Sequence, residues 1–206
     1  MSDTKEKILN AALTLFAKDG YEAVSVSQIA DALGITKGAL YKHYASKRDI
    51  FEHILARMQL ADAENAKEHA MPEETVDKAA DAYRKTSIAE IAAYSKAQFR
   101  YWTEEEFPAN FRKLLTLEQY RSAEMAKLYQ QYLANGPLCY MADVFAGLTG
   151  DGATAMQTAL DFYGPFFLLY SVYDGAEDKA AVLFAVDRHI DGFAANLKSK
   201  LHSEDK

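Results

Sequence analysis

Apolar residues recur at helical spacing from the start of this chain. Ile8, Ala11, Ala12, Leu15 and Phe16 lie three and four apart, which predicts a helix over Thr4–Lys18 with one buried face. Gly20 should end it, and Tyr21, Val24 and Val26 extend its small core. Ile29, Ala30 and Leu33 mark a second, shorter helix. Ser25 suits its N-cap, and Gln28 stands three residues on, where a capping box needs Glu or Gln. Gly34 suits a left-handed stop. Thr36 can cap a third helix, whose inward side is Leu40 and Tyr44. Two short helices joined by a tight Gly-containing turn form a helix-turn-helix, a motif whose second helix enters the DNA major groove.

The remaining pattern is helical throughout. Ser46 caps a helix from Lys47 to about His69, with Ile50, Ile54, Leu55 and Met58 inward. Met71-Pro72 breaks the pattern. Further helices are expected over Val76–Glu104, Asn110–Tyr120, Ala123–Ala134, Leu138–Leu148, Ala153–Tyr173 and Glu177–Leu201. Phe107-Pro108, Asn135-Gly136-Pro137, Thr149–Gly152 and Asp174-Gly175 read as turns, and Gly164-Pro165 as a kink inside a helix. No period-2 strand pattern persists. The expected fold is all-α: residues 1–48 form a helix-turn-helix domain, the helix from Lys47 links it onward, and residues 49–206 form a helical domain.

Charge changes the picture locally. The chain's net charge of −7 argues against a polycation that coats DNA unspecifically. Between Thr36 and Arg48, however, stand Lys37, Lys42, Lys47 and Arg48 with no acidic residue, which is what phosphate contact needs. A basic face that merely meets solvent is the bland alternative.

At these residues the chain resembles the TetR/AcrR family of transcriptional regulators. Thr36-x-Gly38-x-Leu40-Tyr41-x-His43-Tyr44-x-x-Lys47 is similar to the family signature, with Tyr44 where Phe is usual. Ile8 to Ala12, Leu15-Phe16 and Gly20-Tyr21 resemble its first helix. The resemblance covers about the first fifty residues. It implies a dimeric, ligand-responsive regulator, usually a repressor, that binds double-stranded operator DNA. It implies that Thr36, Tyr41, His43 and Lys47 hold the phosphate backbone. Lys37, Gly38 and Lys42 then face the bases, with Ser27 beside them, and Ser25 at the start of the preceding helix completes the set. Lys37 could donate to guanine O6 and N7, and Gly38, lacking a side chain, would let the backbone approach the groove.

The second half is rich in aromatic residues. Tyr94, Phe99, Trp102, Phe111, Tyr120, Tyr132, Phe162 and Phe166 are candidate walls of a pocket for a small apolar or aromatic effector. Most such residues are core in any helical domain. Leu183, Val186, Ile190, Phe193 and Leu197 alternate at three and four residues, a coiled-coil-like seam, and Phe162 to Tyr170 is apolar all round. Together with Phe167 and Tyr170 the seam is the candidate homodimer interface, as the resemblance implies. A monomeric helical core is the alternative.

Other chemistry is thin. The histidines are scattered, and no HExxH, GxSxG or phosphate-loop pattern occurs, so no enzyme, cofactor or metal is expected. Asp187, His189 and Asp191 read as surface or interface groups. The single cysteine, Cys139, allows no disulfide within one chain, and the charged start of the chain is unlike a signal peptide. No apolar run is long enough to span a bilayer, which needs ~20 residues, so a cytoplasmic protein with no membrane partner is expected. A non-DNA-binding helical interaction protein and an enzyme are the rival classes, and an activator is a variant of the first reading. Operator, regulated genes and effector are not legible in the residues.

Overall fold

The structure is a computed structural model and describes residues 3–68 and 87–204. The described residues form ten helices and no strand. These are α1 (Asp3–Asp19), α2 (Val26–Ala32), α3 (Lys37–Tyr41), α4 (Lys47–Glu68), α5 (Ile88–Glu104), α6 (Glu106–Glu118), α7 (Ala123–Leu133), α8 (Asn135–Thr149), α9 (Gly152–Gly175) and α10 (Lys179–Glu204). The Met71-Pro72 break and the expected helix start at Val76 lie outside the described residues, but Ser87 is not helical and its hydroxyl accepts the Glu90 amide, so α5 starts there and the expected Val76–Glu104 helix does not run unbroken.

Two compact units divide the chain. The first joins Met1–Glu64 with Glu105–Gln131; the second joins Asn65–Glu104 with Tyr132–Lys206. This differs from a division at residue 48. The helix-turn-helix is embedded in a larger body that takes in most of α4, all of α6 and most of α7. The reason lies in α1. Of its expected face Ile8, Ala12 and Phe16 are buried and Ala11 and Leu15 half-buried, while Leu9 and Leu13 on another side are buried too. α6 packs along α1 and covers that side, with Phe111, Leu114 and Leu115 fully buried. An α1 that is apolar on two sides has to be covered twice.

The second unit is built on α8 packed with α9, and on α10 packed with α5 and α9. Its core contains Phe99, Val144, Phe145, Ala159, Phe162, Val186 and Ile190.

Two expected turns are helix starts. Pro108 and Pro137 each occupy the third residue of a helix, α6 and α8. A first-turn amide has no acceptor within its helix, so proline loses nothing there. Gly150 (φ 73°) ends α8, and the Asp151 carboxylate then accepts the amides of Ala153 and Thr154 to start α9. α9 continues through Gly164 and Pro165 as one helix.

Candidate nucleic-acid interface

The local rules that set out the helix-turn-helix hold atom by atom. Gln28 N–H donates to Ser25 Oγ (3.2 Å), and Ser25 N–H donates to Gln28 Oε1 (2.8 Å), closing the capping box. At the other end of α2, Gly34 takes φ 65°, Gly34 N–H donates to Asp31 O and Ile35 N–H to Ala30 O. This is the paired-bond stop that a left-handed glycine permits. Thr36 Oγ1 then accepts the Ala39 amide (3.1 Å) and starts α3. Leu40 and Tyr44 anchor that helix, with 0% and 1% of their surface exposed. The Tyr44 hydroxyl donates to Lys5 O, and its ring meets His53 edge-on. Burial raises the Tyr44 phenol above its ordinary value, with the nearby Glu6 adding to the shift.

With that side pinned, the opposite side is solvent-facing. Ser25, Ser27, Thr36, Lys37, Gly38, Tyr41 and Lys42 are all exposed. Lys37 Nζ lies 5.7 Å from the Tyr41 ring centre, one turn along α3. α3 itself is five residues long, and the chain leaves it as a turn, with His43 N–H and Tyr44 N–H both donating to Leu40 O. His43 is half-buried.

The basic stretch divides in two. Lys37 and Lys42 have no ion-pair partner among the described residues. Lys47 and Arg48 are occupied. Lys47 Nζ donates to Tyr21 O (2.8 Å), lies 4.3 Å from the Tyr21 ring centre and 3.6 Å from Glu22. Arg48 grips both oxygens of Glu124 (2.6 and 2.7 Å) and also bonds Glu52. Those bonds, Glu124 first, hold the guanidinium above its usual range, and the same contact holds the Glu124 carboxyl below its own. Sequence spacing alone counted four cations, because their acidic partners lie on distant segments or an adjacent helical turn.

The other candidate residues are placed as follows. Six of the eight pocket candidates lie in the second unit: Tyr94, Phe99, Trp102, Tyr132, Phe162 and Phe166. Phe111 and Tyr120 do not join them; both belong to the first unit, where Phe111 is core and Tyr120 is 90% exposed. Phe99 stacks on Tyr170 (4.8 Å between centres), Phe166 meets Phe99 and Phe162, and Trp102 meets Tyr132 edge-on. The Tyr94 hydroxyl accepts from Gln98. Beside Phe162 and Phe193 an apolar crevice encloses about 10 Å³, room for about one water.

The interface candidates need correction. Val186, Ile190 and Leu197 are buried inside the chain's own core, and Leu183, Phe193 and Tyr170 pack against it. α5 and α9 cover the α10 seam within one chain. Of the seven candidates only Phe167 stays exposed. The exposed apolar side chains of these helices are Met156, Leu160, Phe167, Leu168 and Val172 on α9 and Phe184 on α10. The all-round apolar run of α9 signalled Leu168; nothing in the spacing singled out Phe184.

A capped helix-turn-helix with one anchored and one open side is the arrangement in which such motifs present a helix to the DNA major groove. Residues 8–54 match the family model for bacterial regulatory proteins of the tetR family, so the N-terminal part of the chain is similar to that family. Over 52 residues it is 42% identical to the HTH-type transcriptional regulator AcrR of Shigella flexneri, a match covering 25% of this chain and 24% of that one. Over 54 residues it is 44% identical to the HTH-type transcriptional repressor KstR2 of Rhodococcus jostii (strain RHA1), covering 26% of each. The chain thus matches only about a quarter of the length of these curated relatives. Across the whole chain the fold is similar to that of SmeT, solved in complex with triclosan: TM-score 0.61, 19% identity, covering 94% of this chain and 90% of that one. Among the described residues no helix is long and apolar enough to cross a membrane, and no group of three or more His, Cys, Asp or Glu is placed to hold a metal ion.

Proposed function

We propose that this chain is a cytoplasmic transcriptional repressor that binds operator DNA as a homodimer and is released by a small apolar or aromatic ligand. Residues 1–48 carry the DNA contacts; residues 49–206 serve sensing and dimerisation. The observation that carries the reading is the open side of α3. Lys37 and Lys42 are exposed there with no ion-pair partner among the described residues, with Tyr41, Thr36 and Gly38 beside them and Ser25 and Ser27 at the start of α2. Lys37 and Lys42 read base edges, and Thr36, Tyr41, His43 and Lys47 hold phosphates. Lys47 would do so while keeping its bond to Tyr21.

Dimerisation is supported by the exposed apolar stripe of α9 with Phe184, since exposed patches of this kind mark interaction sites. Two copies would meet half-sites about 34–36 Å apart, or a multiple of one helical turn. The repressor sense follows the named relative KstR2. The ligand class follows the aromatic content of the second unit and the triclosan held by the structurally similar SmeT. An effector at Phe162 and Phe166 would have to part rings that now touch, so its binding energy would be coupled to a rearrangement, with ~1–3 kcal/mol as the usual coupling between sites.

The test is selection of duplexes from a fragmented genomic pool by the purified protein, followed by shift assays across a salt series. Enrichment of a two-fold symmetric site with steep salt dependence is the expected result. Recovery of no preferred duplex would defeat the DNA-binding reading. Release of the selected duplex by aromatic compounds, with a change in Trp102 fluorescence, tests the ligand.

A further inference from the structure

Tyr21 sits in the turn between α1 and α2, four residues before the Ser25 cap, and every polar group of its backbone is held. Lys47 of α4 takes its carbonyl. Its ring lies between Phe16 (5.1 Å) and Phe51 (5.2 Å). Its amide donates to Glu118 Oε1 at 3.1 Å, a bond that reaches 97 residues along the chain to the last residue of α6. Glu118 is 2% exposed, and its other partner is Arg121 Nη1 at 3.0 Å. A buried carboxylate is costly, and an apolar side chain of similar size would be easier to accommodate. Gly20 shows how tightly the carboxylate is fitted. A Cβ there would stand 2.6 Å from Glu118 Oε1, and the residue takes φ +89°, which glycine tolerates best. The same corner holds the helix-turn-helix a second time, through Glu124 of α7 and Arg48 at the start of α4.

We infer that Glu118 is a positioning residue for DNA binding: its carboxylate fixes the turn that aims α2, and through it α3, at the operator. This rests on the DNA-binding reading above. A turn held only by α1 and α4 would leave the partly buried Tyr21 amide without its acceptor. The turn would then relax, and Ser25 and Ser27 with it. Lys37 and Lys42 keep their charge in that case, so binding to arbitrary sequence is unaffected.

The test compares Glu118→Ala and Glu118→Gln with the unmodified chain on a duplex selected by the unmodified chain and on a scrambled duplex. The comparison is made at a temperature where circular dichroism shows each protein folded. Glu118→Ala should bind the selected duplex several-fold to about tenfold more weakly, the scale set by one lost hydrogen bond, with the scrambled duplex unchanged. Glu118→Gln keeps an oxygen for the Tyr21 amide and should recover most of the loss. Equal specific affinity for Glu118→Ala, or a Gln variant as weak as Ala, overturns the assignment. If Glu118→Ala does not fold, or if the unmodified chain selects no duplex, amide hydrogen exchange decides. Tyr21 should exchange slowly in the unmodified chain and in Glu118→Gln; fast exchange in either overturns the assignment, whereas failure to select a duplex counts against the DNA-binding reading.

Discussion

Gly38 separates the demands of folding from those of binding. It lies mid-helix in α3 with no positive φ, and a Cβ there would meet only Thr36 Oγ1, at 3.9 Å. Packing does not require glycine, and helix propensity argues against it by ~0.5–1 kcal/mol relative to alanine. Gly38→Ala should therefore melt slightly higher while binding operator DNA more weakly, as calorimetry and a shift assay would show. The lysines should part in a similar way. Lys37→Ala should change base preference by ~1–3 kcal/mol at one position. Lys47→Ala should lower the salt slope by about one and also cost stability, roughly 0.5–1.5 kcal/mol for a lost hydrogen bond to Tyr21 O. A melting point unchanged by Lys47→Ala would show that its internal bonds contribute nothing.

At the scale of elements, α9 and α10 carry the clearest test, because sequence and structure assign their residues differently. Ile190 is fully buried and Phe184 is 65% exposed. Ile190→Glu should unfold the second unit, since an unpaired charge in an apolar core costs several kcal/mol or more. Phe184→Glu should stay folded and shift the protein from dimer to monomer in sedimentation. Dimeric Phe184→Glu would move the interface elsewhere. The same pair of helices bears on acid stability. Arg100 of α5 binds both oxygens of Asp187 on α10 (3.0 and 2.8 Å). That hydrogen bonding, aided by the charges of Arg100 and Lys96, holds the Asp187 carboxyl below its ordinary 3.8. The depressed value means the pair adds stability above pH 3.8 and loses it as the pH falls through the lowered pKa. Asp187→Asn should lower the melting point at neutral pH and flatten its fall in acid.

For the whole molecule, the division of the chain bears on how stability and binding are linked. The helix-turn-helix shares a compact unit with α6, so under the proposed function a core change on α6 should register in DNA binding. Leu114→Ala, at a fully buried position of α6, should cost ~2–5 kcal/mol. Near the melting temperature it should weaken operator binding, although Leu114 lies far from α3 in sequence. A shift assay run against a thermal melt would show the two losses together; unaffected binding in a partly melted sample would show that residues 1–48 fold without α6.

Local rules wrote most of the helix-turn-helix into the sequence. The Ser25 and Gln28 capping box, the Gly34 stop, the Thr36 cap and the inward Leu40 and Tyr44 each depend on residues within a few positions of one another. Helix order was equally legible, since the 3.6-residue period needs no knowledge of partners. Tertiary structure alone decided what covers each apolar face and what neutralises each charge. The α10 seam is periodic whether a partner chain or α5 and α9 lie against it. Lys47 and Arg48 look free until Tyr21 and Glu124 are brought to them. Phe111 and Tyr120 look like neighbours of Phe162 until α6 and its following turn join the other unit. In each case the deciding contact spans tens of residues, beyond the reach of any spacing rule.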